Sequence, residues 1–202
     1  MYIQRTIYNE LANRLTEKAS ALAFCQGENW KQGQIGPIIA ASQAQVIEGQ
    51  LQDARDKGAT FLCGGRIINS EGGLWCEPTI ITNADHNMKI ATEETFAPVL
   101  CLIAFDDESE AIELANDTEY GLSGAVFSND TDRAYRVAEQ LQAGAISIND
   151  CSLTGLIHDG EKHAYKSSGL GGSRMGPSSI KRFLRKKALL HNVDQTWNSW
   201  WF

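Results

Sequence analysis

Residues 91–100 read "ATEETFAPVL" and set two adjacent carboxylates, Glu93 and Glu94, and an aromatic ring, Phe96, directly before the apolar run Val99-Leu100-Cys101-Leu102-Ile103. Two readings fit. In one the stretch is a solvated turn, its acids inert and Pro98 ending a helix before a strand begins. In the other it is a ligand contact at the mouth of a strand. Five thiols are the next reactive groups: Cys25, Cys63, Cys76, Cys101 and Cys151. A nucleophilic cysteine needs a lowered pKa and a base beside it. Cys151, followed by His158 and His163 in the same loop, is the best placed, although nothing in the spacing compels contact. Cys151, His158, Asp159 and His163 also lack the tight spacing of a metal site, so a surface loop is the reading for them and no metal is expected. The "GLGG" stretch at 169–172 lacks the apolar strand that precedes a phosphate-cradling loop.

These groups need elements to hold them. Ile7, Tyr8, Leu11, Ala12, Leu15, Ala19 and Leu22 recur at helical spacing, which predicts an amphipathic helix from about Thr6, as N-cap, to Leu22. A glycine-rich loop over 23–38 leads to a second helix that turns Val46, Ile47, Leu51 and Ala54 inward. "TFLCGG" and "LWCEPTIIT" read as extended pieces. "VLCLIAF" reads as one strand covered on both faces. "DDESEAIELAND" follows as a helix, with Asp107 and Glu110 forming a capping box in acidic form. "SGAVFS", "NDTDRAYRVAEQLQAG" and "AISIND" then give strand, helix and strand, with Tyr135, Val137, Ala138 and Leu141 on the apolar side of the helix and Gly144 as its stop. Strands alternating with helices predict an α/β fold with an open parallel sheet, right-handed crossovers and flanking helices. Beyond Asp150 periodicity fades into a long functional or interface loop. A basic turn "KRFLRKK", a short strand "ALL" and an aromatic tail "TWNSWWF" close the chain. Such a tail packs on a partner subunit or back on the domain.

The chain's 202 residues are enough for one ordinary domain with a sizeable core. Its 25 acidic and 18 basic side chains give a formal net charge of −7, which argues against a nucleic-acid partner. The start, "MYIQRTIYNELANRL", has no uninterrupted apolar segment, so neither a secretory signal nor a membrane span is expected. An odd number of scattered cysteines fits reduced thiols and a cytoplasmic location.

Six stretches in order, "GPII" (36–39), "GATFLCGG" (58–65), "EPTIIT" (77–82), "EETFAPV" (93–99), "ANDTEYGLSGAVFS" (115–128) and "AGAISIND" (143–150), together resemble the aldehyde dehydrogenase superfamily over nearly the whole chain. The resemblance implies that Glu94 accepts hydrogen bonds from the ribose hydroxyls next to the nicotinamide of NAD or NADP. Two vicinal hydroxyls can donate to the two oxygens of one carboxylate. It places Phe96 beside the nicotinamide ring. Ala97 stands where the family motif has glycine. Asn116, Tyr120 and Gly121 fall in a strand-entry segment and are structural on this reading. "SGLGGSRMG" resembles a glycine-rich loop in which Arg174 replaces a glycine and Ser167-Ser168 replaces a Pro-Phe pair. Asp150 and Cys151 sit where the family lines its aldehyde tunnel, which makes them substrate-pocket candidates.

The resemblance divides the chain into a partial catalytic domain, residues 1–180, and an oligomerisation arm with the aromatic tail, residues 181–202. It also implies an absence. These enzymes form a thiohemiacetal on a cysteine, pass hydride to NAD(P) and hydrolyse a thioester with a glutamate-activated water. The G-Q-x-C nucleophile segment, the glutamate base, the oxyanion asparagine and the dinucleotide-binding domain all precede the part that Met1 onward resembles. No catalytic residue is therefore assigned, and negligible cofactor binding and no unaided turnover of a small aldehyde are expected. The alternative is a non-catalytic protein that assembles with full-length subunits through exposed edges. A homo-oligomer, or association with such subunits, is expected.

Overall fold

The computed structural model describes residues 1–173 and 175–191. The chain clusters into two compact units, Met1–Thr118 and Glu119–Phe202. The first unit runs β1 (Tyr2–Gln4), α1 (Arg5–Ser20), α2 (Ala41–Asp56), β2 (Thr60–Cys63), β3 (Ile67–Ser70), β4 (Gly73–Cys76), β5 (Thr79–Thr82), α3 (Lys89–Thr92), β6 (Val99–Cys101), β7 (Ile103–Phe105) and α4 (Glu108–Asn116). The second runs β8 (Tyr120–Gly121), β9 (Gly124–Val126), α5 (Thr131–Gln140), β10 (Ile146–Ile148), α6 (Leu153–Leu156) and β11 (Tyr165–Lys166), followed by a 3-10 turn at Pro177–Phe183. This is an α/β fold with parallel pairing and flanking helices, as the sequence predicts.

In the first unit β5 lies between β2, antiparallel, and β6, parallel. All four residues of β5 are buried, because a helix covers each face. Successive side chains on a strand point to opposite faces. Ile80 accordingly packs with Ile3, Ala12 and Leu102 under α1, whereas Ile81 packs with Ile47, Leu51, Ala54, Cys76, Met88 and Ile90 under α2. "VLCLIAF", expected as one strand, is two. β6 pairs with β5 and β7 pairs in parallel with β1. At the break, Leu102 is fully buried and its N–H donates to the Ile81 carbonyl at 2.8 Å. The strand covered on both faces is thus β5, while Leu100 stays exposed. "LWCEPTIIT", expected as one extended piece, holds both β4 and β5, and β4 forms an antiparallel hairpin with β3, for which no strand was expected.

The helix ends divide between those with and without side-chain caps. Asp107 accepts from the Glu110 N–H at 2.9 Å, the cap bond expected for α4, and the Glu110 carboxylate reaches back to accept at 2.6 Å from the N–H of Asp106, one residue before the cap position. Thr6 is not an N-cap. α1 begins one residue earlier because the chain turns directly out of β1, and Gln4, at the cap position, makes no side-chain bond. On α2, Val46 is exposed, and Ala44 and Gln50 take the inward positions beside Ile47, Leu51 and Ala54.

In the second unit β9 and β10 pair in parallel, with α5 as the connection. Ala134 is fully buried and Tyr135 exposed on α5. The helix ends at Gln140, so Gly144 is not its stop. Gly144 serves a close approach instead: a Cβ there would run into the His163 carbonyl, to whose chain Gly144 is already bonded. Residues 188–190, expected as a strand, are irregular, and among the described residues no strand pairs with them. The aromatic tail and Arg174 lie outside the described residues. Among the described residues no helix is long and apolar enough to cross a membrane.

Candidate functional site

Helix α2 presents Gln43, Gln50 and Asp53 at spacings of seven and three, which places all three on one side. That side holds both ends of the segment from α3 to Phe96. At the near end, the Asp53 carboxylate accepts from the Lys89 N–H at 2.9 Å, where α3 begins. Lys57, bonded to the same carboxylate, holds Asp53 below the usual carboxylate range, and the Lys89 N–H adds to this. At the far end, the Gln43 amide donates to the Thr95 carbonyl at 2.7 Å and the Gln50 amide to the Glu94 carbonyl at 3.2 Å. Beyond Phe96, the Pro98 carbonyl accepts from the Thr79 N–H of β5 at 2.8 Å and fixes the entry to β6. The segment is thus tied at both ends to elements that carry the core.

Between these anchors Phe96 adopts φ +48° and is 79% exposed. An aromatic side chain in the left-handed region costs about 1–2 kcal/mol, and exposure returns little of that through burial. Observed strain of this kind is a pointer to function. Glu93 and Glu94 are both exposed, but they are not equivalent. The Glu93 carboxylate accepts from Gln50 at 3.4 Å, and no side chain among the described residues reaches the carboxylate of Glu94. Here a carboxylate without a side-chain partner among the described residues and an exposed aromatic ring stand two residues apart on an anchored main chain. The arrangement offers a carboxylate acceptor for hydroxyl donors beside an exposed aromatic ring.

The substrate-pocket candidates belong to the second unit. Asp150 is occupied locally: its carboxylate accepts from the Ser152 and Leu153 N–H groups and shapes the start of α6. Cys151 is exposed, and no hydrogen bond joins it to His158 or His163 among the described residues. Nor do the described residues contain any group of three or more His, Cys, Asp or Glu side chains that could hold a metal. Asn149 was not singled out from sequence, yet it locks the ends of β9 and β10. Its amide accepts from the Ser128 N–H at 2.8 Å and donates to the Ser128 carbonyl at 3.0 Å, from a backbone at φ +55°. Lys162 was also missed. Its ammonium donates to the Thr154 carbonyl at 2.6 Å and to that of Ile157, the last turn of α6. Gln43 and Gln50 left a legible trace, since both are polar residues in register with an apolar helix face.

Comparison with known proteins places this geometry in context. The sequence model described as "Aldehyde dehydrogenase family" matches residues 1–189. Betaine aldehyde dehydrogenase, chloroplastic, of Beta vulgaris is 36% identical over 203 residues, covering 100% of this chain and 40% of that protein. Among solved structures, the PutA protein of Anabaena variabilis superposes with a TM-score of 0.90 at 49% identity, covering 100% of this chain and 43% of that one. Betaine aldehyde dehydrogenase from Staphylococcus aureus in complex with NAD+ superposes with a TM-score of 0.89 at 34% identity, covering 98% of this chain and 39% of that one. The chain therefore spans about 40% of the length of the relatives it matches.

Proposed function

Because the chain, matched over residues 1–189, belongs to the aldehyde dehydrogenase family, we propose that it supplies the nicotinamide-facing part of an NAD(P)-dependent aldehyde dehydrogenase. The single observation behind this is the pairing of an unengaged Glu94 carboxylate with an exposed, left-handed Phe96 on a main chain anchored by Gln43, Gln50 and β5. On this reading Glu94 accepts from the ribose hydroxyls and Phe96 lies against the nicotinamide. The bound cofactor supplies the two-electron acceptor that takes an aldehyde to a carboxylic acid. Glu94 orients that end of the cofactor, and Phe96 limits the water that reaches it. Neither has an acid-base or nucleophilic role. Asp150 and Cys151 belong to the wall on the aldehyde side, Asp150 by shaping the loop rather than by touching substrate. The partition into a partial catalytic domain, residues 1–180, and an arm, residues 181–202, is part of the same proposal.

The 202-residue chain does not complete the reaction unaided on this reading, because the attacking sulfur, the base and adenine recognition are family functions not assigned to any residue in it. Self-association, or association with full-length subunits, is proposed from the exposed Leu156, Ile180, Phe183, Leu184, Leu189 and Leu190 of the second unit. A cytoplasmic location is proposed from five free cysteines.

The test is an NMR titration of the chain with nicotinamide mononucleotide, the half of the cofactor that Glu94 and Phe96 would meet. Shift changes confined to residues 93–97, with a Kd of order 1 mM or weaker and a clear loss in Glu94→Gln, are expected. Calorimetry with intact NAD should give no micromolar binding. Shifts elsewhere and none at 93–97, or aldehyde turnover by the chain alone that disappears in Cys151→Ser, would overturn the reading.

A further inference from the structure

Gln50 is an anomaly in the first unit's core. It is 2% exposed on the α2 face that carries Ile47, Leu51 and Ala54, and its Oε1 is buried with no hydrogen-bond partner. A buried amide costs folding free energy unless its hydrogen bonds recover it, and an apolar side chain of similar volume would avoid that cost. What the amide does make is specific. Its one nitrogen reaches two adjacent residues, the Glu94 carbonyl at 3.2 Å and the Glu93 carboxylate at 3.4 Å. Rotating the amide by half a turn would set Oε1 against both of these acceptors, so the orientation is fixed by charge as well as shape.

Resting on the reading of Glu94 and Phe96 given above, we propose that Gln50 is a positioning residue for the cofactor-facing segment: by drawing the Glu93 carboxylate and the Glu94 carbonyl down onto α2, it leaves Glu94 as the outward acid and fixes the main chain that leads to Phe96. The two neighbouring glutamates thereby take different jobs. Glu93 is an internal tether, and Glu94 is the ligand-facing group. Gln43, whose side-chain amide donates to the Thr95 carbonyl, fixes the main chain without choosing between the acids. Gln50 makes that choice.

The experiment compares the wild-type chain with Gln50→Met, which keeps an unbranched shape and loses the donor, and with Gln50→Glu alone and combined with Glu93→Gln. Backbone order parameters at residues 94–96 and the nicotinamide mononucleotide titration are read on each. In Gln50→Met the order parameters should fall from about 0.85 to below about 0.6, with nucleotide affinity about ten-fold weaker. Gln50→Glu sets a carboxylate against the Glu93 carboxylate and should loosen the segment further. Adding Glu93→Gln removes the like-charge contact and re-forms the 50–93 bond with donor and acceptor exchanged, while the Glu94 carbonyl still lacks its donor, so both readouts should recover in part relative to Gln50→Glu, a rescue that a merely space-filling residue would not produce. Unchanged order parameters in Gln50→Met, or no rescue by the exchanged pair, overturn the proposal. If Gln50→Met does not fold, the exchanged pair against Gln50→Glu decides. A wild-type segment that is ordered but gives no response to the nucleotide overturns the cofactor reading, and with it the cofactor side of this proposal, while the order parameters still decide the tether.

Discussion

Replacing Phe96 by asparagine separates a strained functional residue from an ordinary structural one. At 79% exposure the ring hides about a fifth of its surface. For a side chain of about 200 Å² that is about 40 Å², worth about 1 kcal/mol at 25 cal/mol per Å². Against this stands the left-handed backbone at φ +48°, which costs a residue with a bulky Cβ about 1–2 kcal/mol and which asparagine adopts more readily. The two terms nearly cancel, so Phe96→Asn should leave the folding free energy unchanged or raised by up to about 1 kcal/mol. Urea unfolding followed by tryptophan fluorescence, with the slope m held constant, measures this directly. In the same variant the nicotinamide mononucleotide response should vanish. A loss of stability above about 2 kcal/mol would mean that the ring belongs to the packing of the fold, and the argument that its strain serves a ligand would be wrong.

Gly144→Ala should destabilise by about 2–3 kcal/mol, because a Cβ there meets the His163 carbonyl and must break the bonds of Gly144 to Gly121 and His163; thermal melting of the chain reads it. Asp107→Ala removes the cap of the Glu110 N–H and should cost about 1 kcal/mol, a lowering of Tm by about 3 °C. Burial, with Glu77 adding, pushes the Cys76 thiol from 9.0 up to about 11. A folded pKa above the unfolded one gives stability that is complete below pH 9 and is lost as pH rises through about 11, so urea midpoints should fall across that window and less steeply in Cys76→Ala. At neutral pH a thiol reagent should modify the exposed Cys151 well before Cys76.

What could be read from sequence follows from what kind of interaction decides each feature. The α4 capping box was legible because its two acids act over four residues of chain, and α5 between β9 and β10 because a strand-helix-strand alternation is a local pattern. "VLCLIAF" misled because its composition is uniformly apolar, whereas its division depends on β5 and β1, which lie elsewhere in the chain and pair with different halves. Gly144 suited a helix stop on local grounds, and only the return of the chain at His163 reveals its use. At the candidate site, Glu94 and Phe96 were singled out through motif order. Their anchors were not, since Gln43 and Gln50 act across about fifty residues and their polarity on an inward face signals a partner without identifying it. Asp150 was singled out through the resemblance as a substrate-pocket candidate, whereas the bonds it makes, to the Ser152 and Leu153 N–H groups of its own loop, arise from the turn that follows β10.

The division of the 99–105 run between two partners also bears on the order of folding. The junction of β5 and β6, Thr79 against Val99, closes a loop of about twenty residues, while that of β1 and β7, Tyr2 against Ile103, closes about one hundred. The longer closure costs about 1.4 kcal/mol more in chain entropy. The hairpin-sized half can therefore condense first, with Pro98 already seated on β5, and the Glu94–Phe96 corner is formed before the N-terminal strand arrives to seal the edge. On chain-entropy grounds the 93–97 segment is expected to order before β1 docks on β7.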